Sequence, residues 1–136
     1  MRLSLLPLFC LKAALVSAQS GGYGYSCEPV VRAGSIVVVG TVLSAQTLEL
    51  HIDGVPVSGR RYTVVVTQRW FGSAPDTLTA VLFPGGHCTV LVPSAPGSQV
   101  VLNLWPNDDE GLIIGTGSRA LRAGDHDLSS LGAVTP

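Results

Sequence analysis

Ile36-Val37-Val38-Val39 is an unbroken β-branched run, closed by Gly40 and continued by Thr41-Val42-Leu43. A strand points successive side chains to opposite faces, so an uninterrupted apolar run predicts a strand covered on both sides. Gly40 in its middle marks a bend, made by a bulge or by close approach of another backbone. Residues 47–53 alternate, with Leu48, Leu50 and Ile52 on one side and Thr47, Glu49, His51 and Asp53 on the other, which predicts a second, half-buried strand. Asp53-Gly54 is a turn signal. The longest strand candidate is 61–71, placing Tyr62, Val64, Val66 and Trp70 on one face and Thr63, Val65, Thr67 and Arg69 on the other. It is expected to form a hairpin with 77–83, where Leu78, Ala80 and Leu82 face inward.

Pro84-Gly85-Gly86 then breaks the pattern. A short apolar run at 88–92, a turn-rich connector at 93–97, a strand at 98–105, a polar turn at 106–111 and a last strand at 112–115 follow. No segment carries a capped amphipathic helical repeat. Short strands at this regular spacing predict an all-β domain, a small barrel or sandwich.

The two ends of the chain read differently. Residues 1–18 have the form of a signal peptide: Arg2, a mostly apolar stretch from Leu3 to Leu11, and small residues at Val16-Ser17-Ala18. The stretch is too short to span a bilayer, so export without a membrane span is the expectation. Residues 19–26 form a lead-in rich in Gly and Tyr, and residues 123–136 have no sustained period and are expected to be loosely held. Without the leader, six arginines stand against nine carboxylates, a balance of −3 with no lysine. Nucleic acid is therefore not an expected partner, because the electrostatic footprint for phosphate is missing. Cys10 goes with the leader, and the two cysteines that remain, Cys27 and Cys88, are expected to form one disulfide in an oxidising compartment.

In order of features, residues 27–122 resemble the superfamily of tissue inhibitors of metalloproteinases and netrin modules. The elements are Cys27, the segment from Ala33 to Val42, Tyr62-Thr63-Val64-Val65-Val66 leading to Arg69-Trp70-Phe71-Gly72-Ser73, Cys88, the strand ending at Leu104, and the closing segment from Gly115 to Leu121. The resemblance implies a five- to six-stranded OB-like barrel with little or no helix. It also implies a secreted binding module, with Cys27, Glu28 and Pro29 as partner-contact residues and an extracellular metalloprotease as one kind of partner. Inhibitors of this type present their first cysteine at the mature N-terminus, where its amine and carbonyl chelate the protease zinc. Cys27 lies eight residues after Gln19, and the closing segment has Gly117-Ser118 where many members carry a further cysteine.

Candidate chemistry changes this picture little. Gly86-His87-Cys88 sets an imidazole beside a sulfur, but neighbouring strand residues point to opposite faces and a bridged sulfur is inert. Asp125-His126-Asp127 lacks a fourth anchoring ligand, and Asn107-Asp108-Asp109-Glu110 lacks the spacing of a calcium loop. Trp70 and Trp105 are read as packing residues rather than a stacking platform. The expectation is a monomeric, non-enzymatic, secreted module with no cofactor, metal or catalytic residue, binding a protein partner; a structural extracellular domain without a ligand site is the alternative.

Overall fold

The computed structural model describes residues 27–83 and 88–132. The signal segment, the 19–26 lead-in, the Pro-Gly-Gly break, His87 and residues 133–136 lie outside the described residues. Among the described residues six strands follow one another: β1 (Ile36–Ile52), β2 (Val55–Phe71), β3 (Thr77–Leu82), β4 (Gln99–Asn107), β5 (Gly111–Ile114) and β6 (Arg119–Ala120). A single turn of 3-10 helix, Leu128–Leu131, comes last.

The strands close into a barrel-like ring, as the all-β reading anticipated. β1 pairs with β2 and β2 with β3, all antiparallel. β3 meets β5 in parallel at Val81 and Ile113, β5 runs antiparallel to β4, and β4 returns to β1 from Ile36↔Leu104 to Thr41↔Gln99. β6 continues the β5 edge of β4, with Val101 opposite Arg119.

Two cores explain the continuous apolar runs. Val38, Val42, Tyr62, Val64, Leu102 and Leu104 point into the ring. Val37, Val39 and Val101 point outward into a second cluster, which Val31 and Leu131 cover. The N-terminal and C-terminal segments thus supply the second cover that Ile36-Val37-Val38-Val39 demanded. For the segment expected to be loosely held, the described part is 123–132, and there Leu131 is buried while Asp125 bonds to Arg119.

The first two strand candidates, separate in the sequence reading, are one 17-residue strand. Ser44, Ala45 and Gln46 contain no breaker, and the ladder runs without interruption from Ser44↔Thr63 to Ile52↔Val55. Asp53 and Gly54 close it with positive φ angles of 51° and 78°, as a type I′ hairpin turn requires. β2 likewise begins at Val55, before the expected start, and includes Pro56. Counting from the tight turn, Pro56 and His51 form a non-hydrogen-bonded pair, so the missing proline N–H faces away from β1 and breaks no ladder bond.

Bulges account for a second difference. The β1–β2 register passes over Leu43, Thr67 and Trp70. Alternation is lost at those points, and Trp70 packs against the outer cluster instead of joining Tyr62, Val64 and Val66 inside. Gly40 sits between these irregularities. A Cβ there would lie 2.4 Å from Val64 Cγ1 and 2.6 Å from the Val65 carbonyl oxygen, so β2 crosses directly over a missing side chain.

Candidate functional site

The Cys27–Cys88 disulfide is present, with the two Cα atoms 5.3 Å apart. It ties the N-terminal segment to the start of the 88–98 connector, which carries no strand or helix. Hydrogen bonds to β1 and β2 hold that connector. The buried Tyr62 hydroxyl donates to the Val92 carbonyl at 2.8 Å, and Gly97 N–H donates to the Val42 carbonyl at 2.7 Å. Val92 turns into the core, which leaves its neighbour Leu91 pointing outward, 76% exposed.

Beside Leu91 runs a groove of 440 Å³ between the connector and the outer part of the β1–β2 hairpin. Leu82, Phe83, Val90 and Leu91 give it apolar walls, and Cys88 lies in its lining. A second depression shares Arg60, Leu82, Val90 and Leu91 with the first, so the two are continuous. Arg60 is exposed and makes no ion pair among the described residues, whereas its neighbour Arg61 reaches Glu110 at 3.5 Å. The groove therefore offers apolar contact with one uncommitted cation at its edge. Such a surface suits an apolar side chain lying next to a carboxylate.

Of the three expected contact residues, the disulfide brings Cys27 to this groove, and Cys27 and Glu28 are exposed. Pro29 goes elsewhere. It is half-buried against Gly117, where a Cβ would stand 2.7 Å from the proline ring. It docks on the closing segment, whose polar groups are gathered by Asn103. The Asn103 amide donates to Ser118 Oγ at 2.8 Å, and its Nδ2 donates to the carbonyls of Thr116 at 3.0 Å and Val30 at 3.2 Å. One buried asparagine thereby links β4, the closing segment and the N-terminal segment. The sequence pattern offered no sign of it beyond a lone amide among apolar strand residues.

The remaining polar clusters are internally engaged. Asp125 receives both Arg119 Nη1 at 2.7 Å and Nη2 at 3.1 Å, and the Arg122 amide at 2.7 Å. The Arg119 hydrogen bond holds the Asp125 carboxyl below its ordinary range, opposed by partial burial and helped by the Arg122 amide and the two guanidinium charges. Asp127 caps the 3-10 turn, accepting from the Ser129 amide and hydroxyl, which lowers its pKa as well. Asn107 Oδ1 accepts from the amides of Asp109 and Glu110, forming the turn between β4 and β5. Among the described residues no three His, Cys, Asp or Glu side chains stand together as a metal site. Trp105 lies beneath the Arg32 guanidinium, 5.4 Å from ring centroid to Cζ, and Trp70 donates its Nε1 proton to Gln68. Among the described residues no helix is long and apolar enough to cross a membrane.

No protein-family model matches the chain, and neither a curated protein nor a solved structure matches it.

Proposed function

We propose that this chain is a secreted, non-enzymatic binding module of the metalloproteinase-inhibitor and netrin type, and that the groove beside the Cys27–Cys88 bridge receives a protein partner. The observation that carries this reading is Leu91, an exposed leucine held outward by the burial of Val92 at the mouth of an apolar groove. A large aliphatic side chain left in water beside a bridge and an unpaired arginine has no role in the core, and exposed apolar surface of this kind marks interaction sites. The order of Cys27, the β-branched strand, Cys88 and the closing segment supports the family. The chain departs from the family in the closing segment, where many members carry a cysteine; here the Asn103 backbone amide donates to Ser118 Oγ.

The partner's contact would combine an apolar side chain with a carboxylate directed at Arg60. Zinc chelation in the manner of the inhibitors requires Cys27 to be the first residue of the mature chain. Two measurements test the reading. Intact mass of the exported protein fixes its N-terminus and the oxidation state of both cysteines. Cross-linking of the wild type and of Leu91→Asp and Arg60→Glu variants to native extracellular protein, with the sites mapped by mass spectrometry, then tests the groove. Links at residues 27–28 and 88–91 that vanish in both variants support it. Links that persist in both, or that map only elsewhere, reject it.

A further inference from the structure

β1 outruns its neighbours. β4 pairs with it only from Ile36 to Thr41, and the connector adds two last bonds at Val42, from Ser98 and Gly97. Among the described residues β2 is the only strand beside β1 from Leu43 to Ile52, and beyond Thr47 and Arg60, where β3 ends, the hairpin leaves the ring as a two-stranded arm. Counting alternately from the tight Asp53-Gly54 turn, Ala45, Thr47, Glu49 and His51 sit in non-hydrogen-bonded pairs with β2. Their N–H and C=O groups therefore face outward. Among the described residues no hydrogen bond from any other segment reaches them.

The two edges of the arm are built differently. On β2 the free stretch is short, from Val55 to Gly59, and Pro56 removes an outward donor, a common guard against strand addition. On β1 the free stretch carries no proline and no lysine, and its one formally charged residue is Glu49. Long unguarded edges template another strand.

We infer that this edge of β1 pairs with the same edge of a second copy of the chain, antiparallel about a two-fold axis at Leu48. The register follows from the edge itself. With Leu48 on the axis, Thr47 of each copy lies opposite Glu49 of the other and Ala45 opposite His51, so all four outward residues of both copies are bonded, about eight hydrogen bonds in all. Leu43 then meets Asp53 of the other copy, so its turn stops where Gly97 and Ser98 begin to occupy the edge. Shifting the axis one residue toward the ring drives that turn into the connector. Shifting it one residue outward sets Glu49 directly opposite Glu49, a like-charge pair. Only the Leu48 register uses the whole edge without collision or opposed charges. The pairing edge meets the groove at Thr47, which lies in the groove's lining, but it uses neither Leu91 nor Arg60, so Leu91→Asp and the Leu48→Cys cross-link separate the two proposals.

Sedimentation of the exported full chain over a range of concentrations should show a reversible monomer–dimer equilibrium. Thr47→Pro removes one outward donor without touching a β1–β2 bond and should leave the protein monomeric where the wild type is dimeric, with its far-ultraviolet spectrum retained; Leu91→Asp should leave the dimer intact. A covalent test does not depend on the proline variant folding. Leu48→Cys should cross-link to itself under mild oxidation, because residues on the axis face each other in a non-hydrogen-bonded pair, while Gln46→Cys, far from its own symmetry mate, should not. A wild type that stays monomeric at every concentration overturns the proposal, including one that binds an unrelated extended peptide at this edge. So does a Thr47→Pro protein that still dimerises, or equal cross-linking by the two cysteine variants.

Discussion

Tyr62 and Val92 are joined by a buried hydrogen bond of 2.8 Å, from the phenol at the middle of β2 to a carbonyl on a connector that has no ladder of its own. The ring core and the groove wall meet at this bond. Val92 is drawn inward by it, and Leu91, one residue earlier, is therefore presented to solvent.

Tyr62→Phe keeps the ring's volume and removes only the hydroxyl, leaving the Val92 carbonyl buried and without its donor. The expected loss is about 1–3 kcal/mol, the cost of an unsatisfied buried polar group. Urea denaturation of the two proteins measures it, and an unchanged midpoint would mean that the connector is held by other contacts. Protease cleavage within 88–98 should also quicken in the variant, since the connector opens locally before the ring does.

How much of this was legible beforehand can be seen at particular residues. Strict alternation placed Tyr62, Val64, Leu78 and Ala80 inside, and each is buried. The four-residue run from Ile36 to Val39 announced two covered faces, and the cluster of Val37 and Val39 with Leu131 supplies the second. Trp70 was misplaced because a bulge shifts the period of two, and bulges depend on the partner strand, which local pattern does not contain. Two separate strands are read where β1 is one, because Ser44 and Gln46 interrupt the apolar pattern, yet both are exposed, and an exposed strand position accepts polar residues. The groove was not visible at all. It needs Val92 turned in and Leu91 turned out, and in the sequence the two are neighbouring aliphatic residues with nothing to separate their roles.

Gly40 offers a test of the ring's closure. A methyl group there would press on the Val64 side chain and on the Val65 carbonyl oxygen, and the latter is backbone that cannot swing aside. Gly40→Ala should therefore cost about 1–3 kcal/mol through overpacking, despite the small added volume. Thermal unfolding of the variant reads this directly. A gain in stability, which the lost flexibility of the unfolded chain would favour in an uncrowded strand, would show that β1 and β2 do not cross so closely at this point.

The disulfide closes a loop between positions 61 residues apart. Replacing both cysteines by serine should lower stability by about 2–4 kcal/mol, chiefly because the unfolded chain regains freedom. The loss should fall on the N-terminal segment first, since Cys27 is tied to the connector while Val31 lies under the outer cluster. Amide exchange should accordingly quicken at Glu28 and Val30 before it does along β4. Equal acceleration throughout would indicate that the bridge acts only on the unfolded state.

Arg119 and Asp125 should give the fold its acid sensitivity. The Asp125 carboxylate is largely covered, takes both ends of the guanidinium and the Arg122 amide, and titrates below the ordinary aspartate value of about 3.9. For a carboxyl whose folded pKa is depressed, the stabilisation is fully present well above the unfolded pKa. It is lost as the pH falls through the folded value, because the native state must then accept a proton it holds less readily than the unfolded chain does. The stability difference between wild type and Asp125→Asn should thus be flat near neutrality and shrink steadily below about pH 4. The same variant should release the chain end, since Arg119 also donates to the Ser130 carbonyl at 3.1 Å and Ser130 adjoins buried Leu131. Loss of the Asp125 anchor frees that arginine to swing out, and the outer cluster over Val37, Val39 and Val101 should then exchange faster while the ring core holds. A stability difference that is the same at pH 3 and pH 7 would show that the Arg119–Asp125 pair does not carry the acid response.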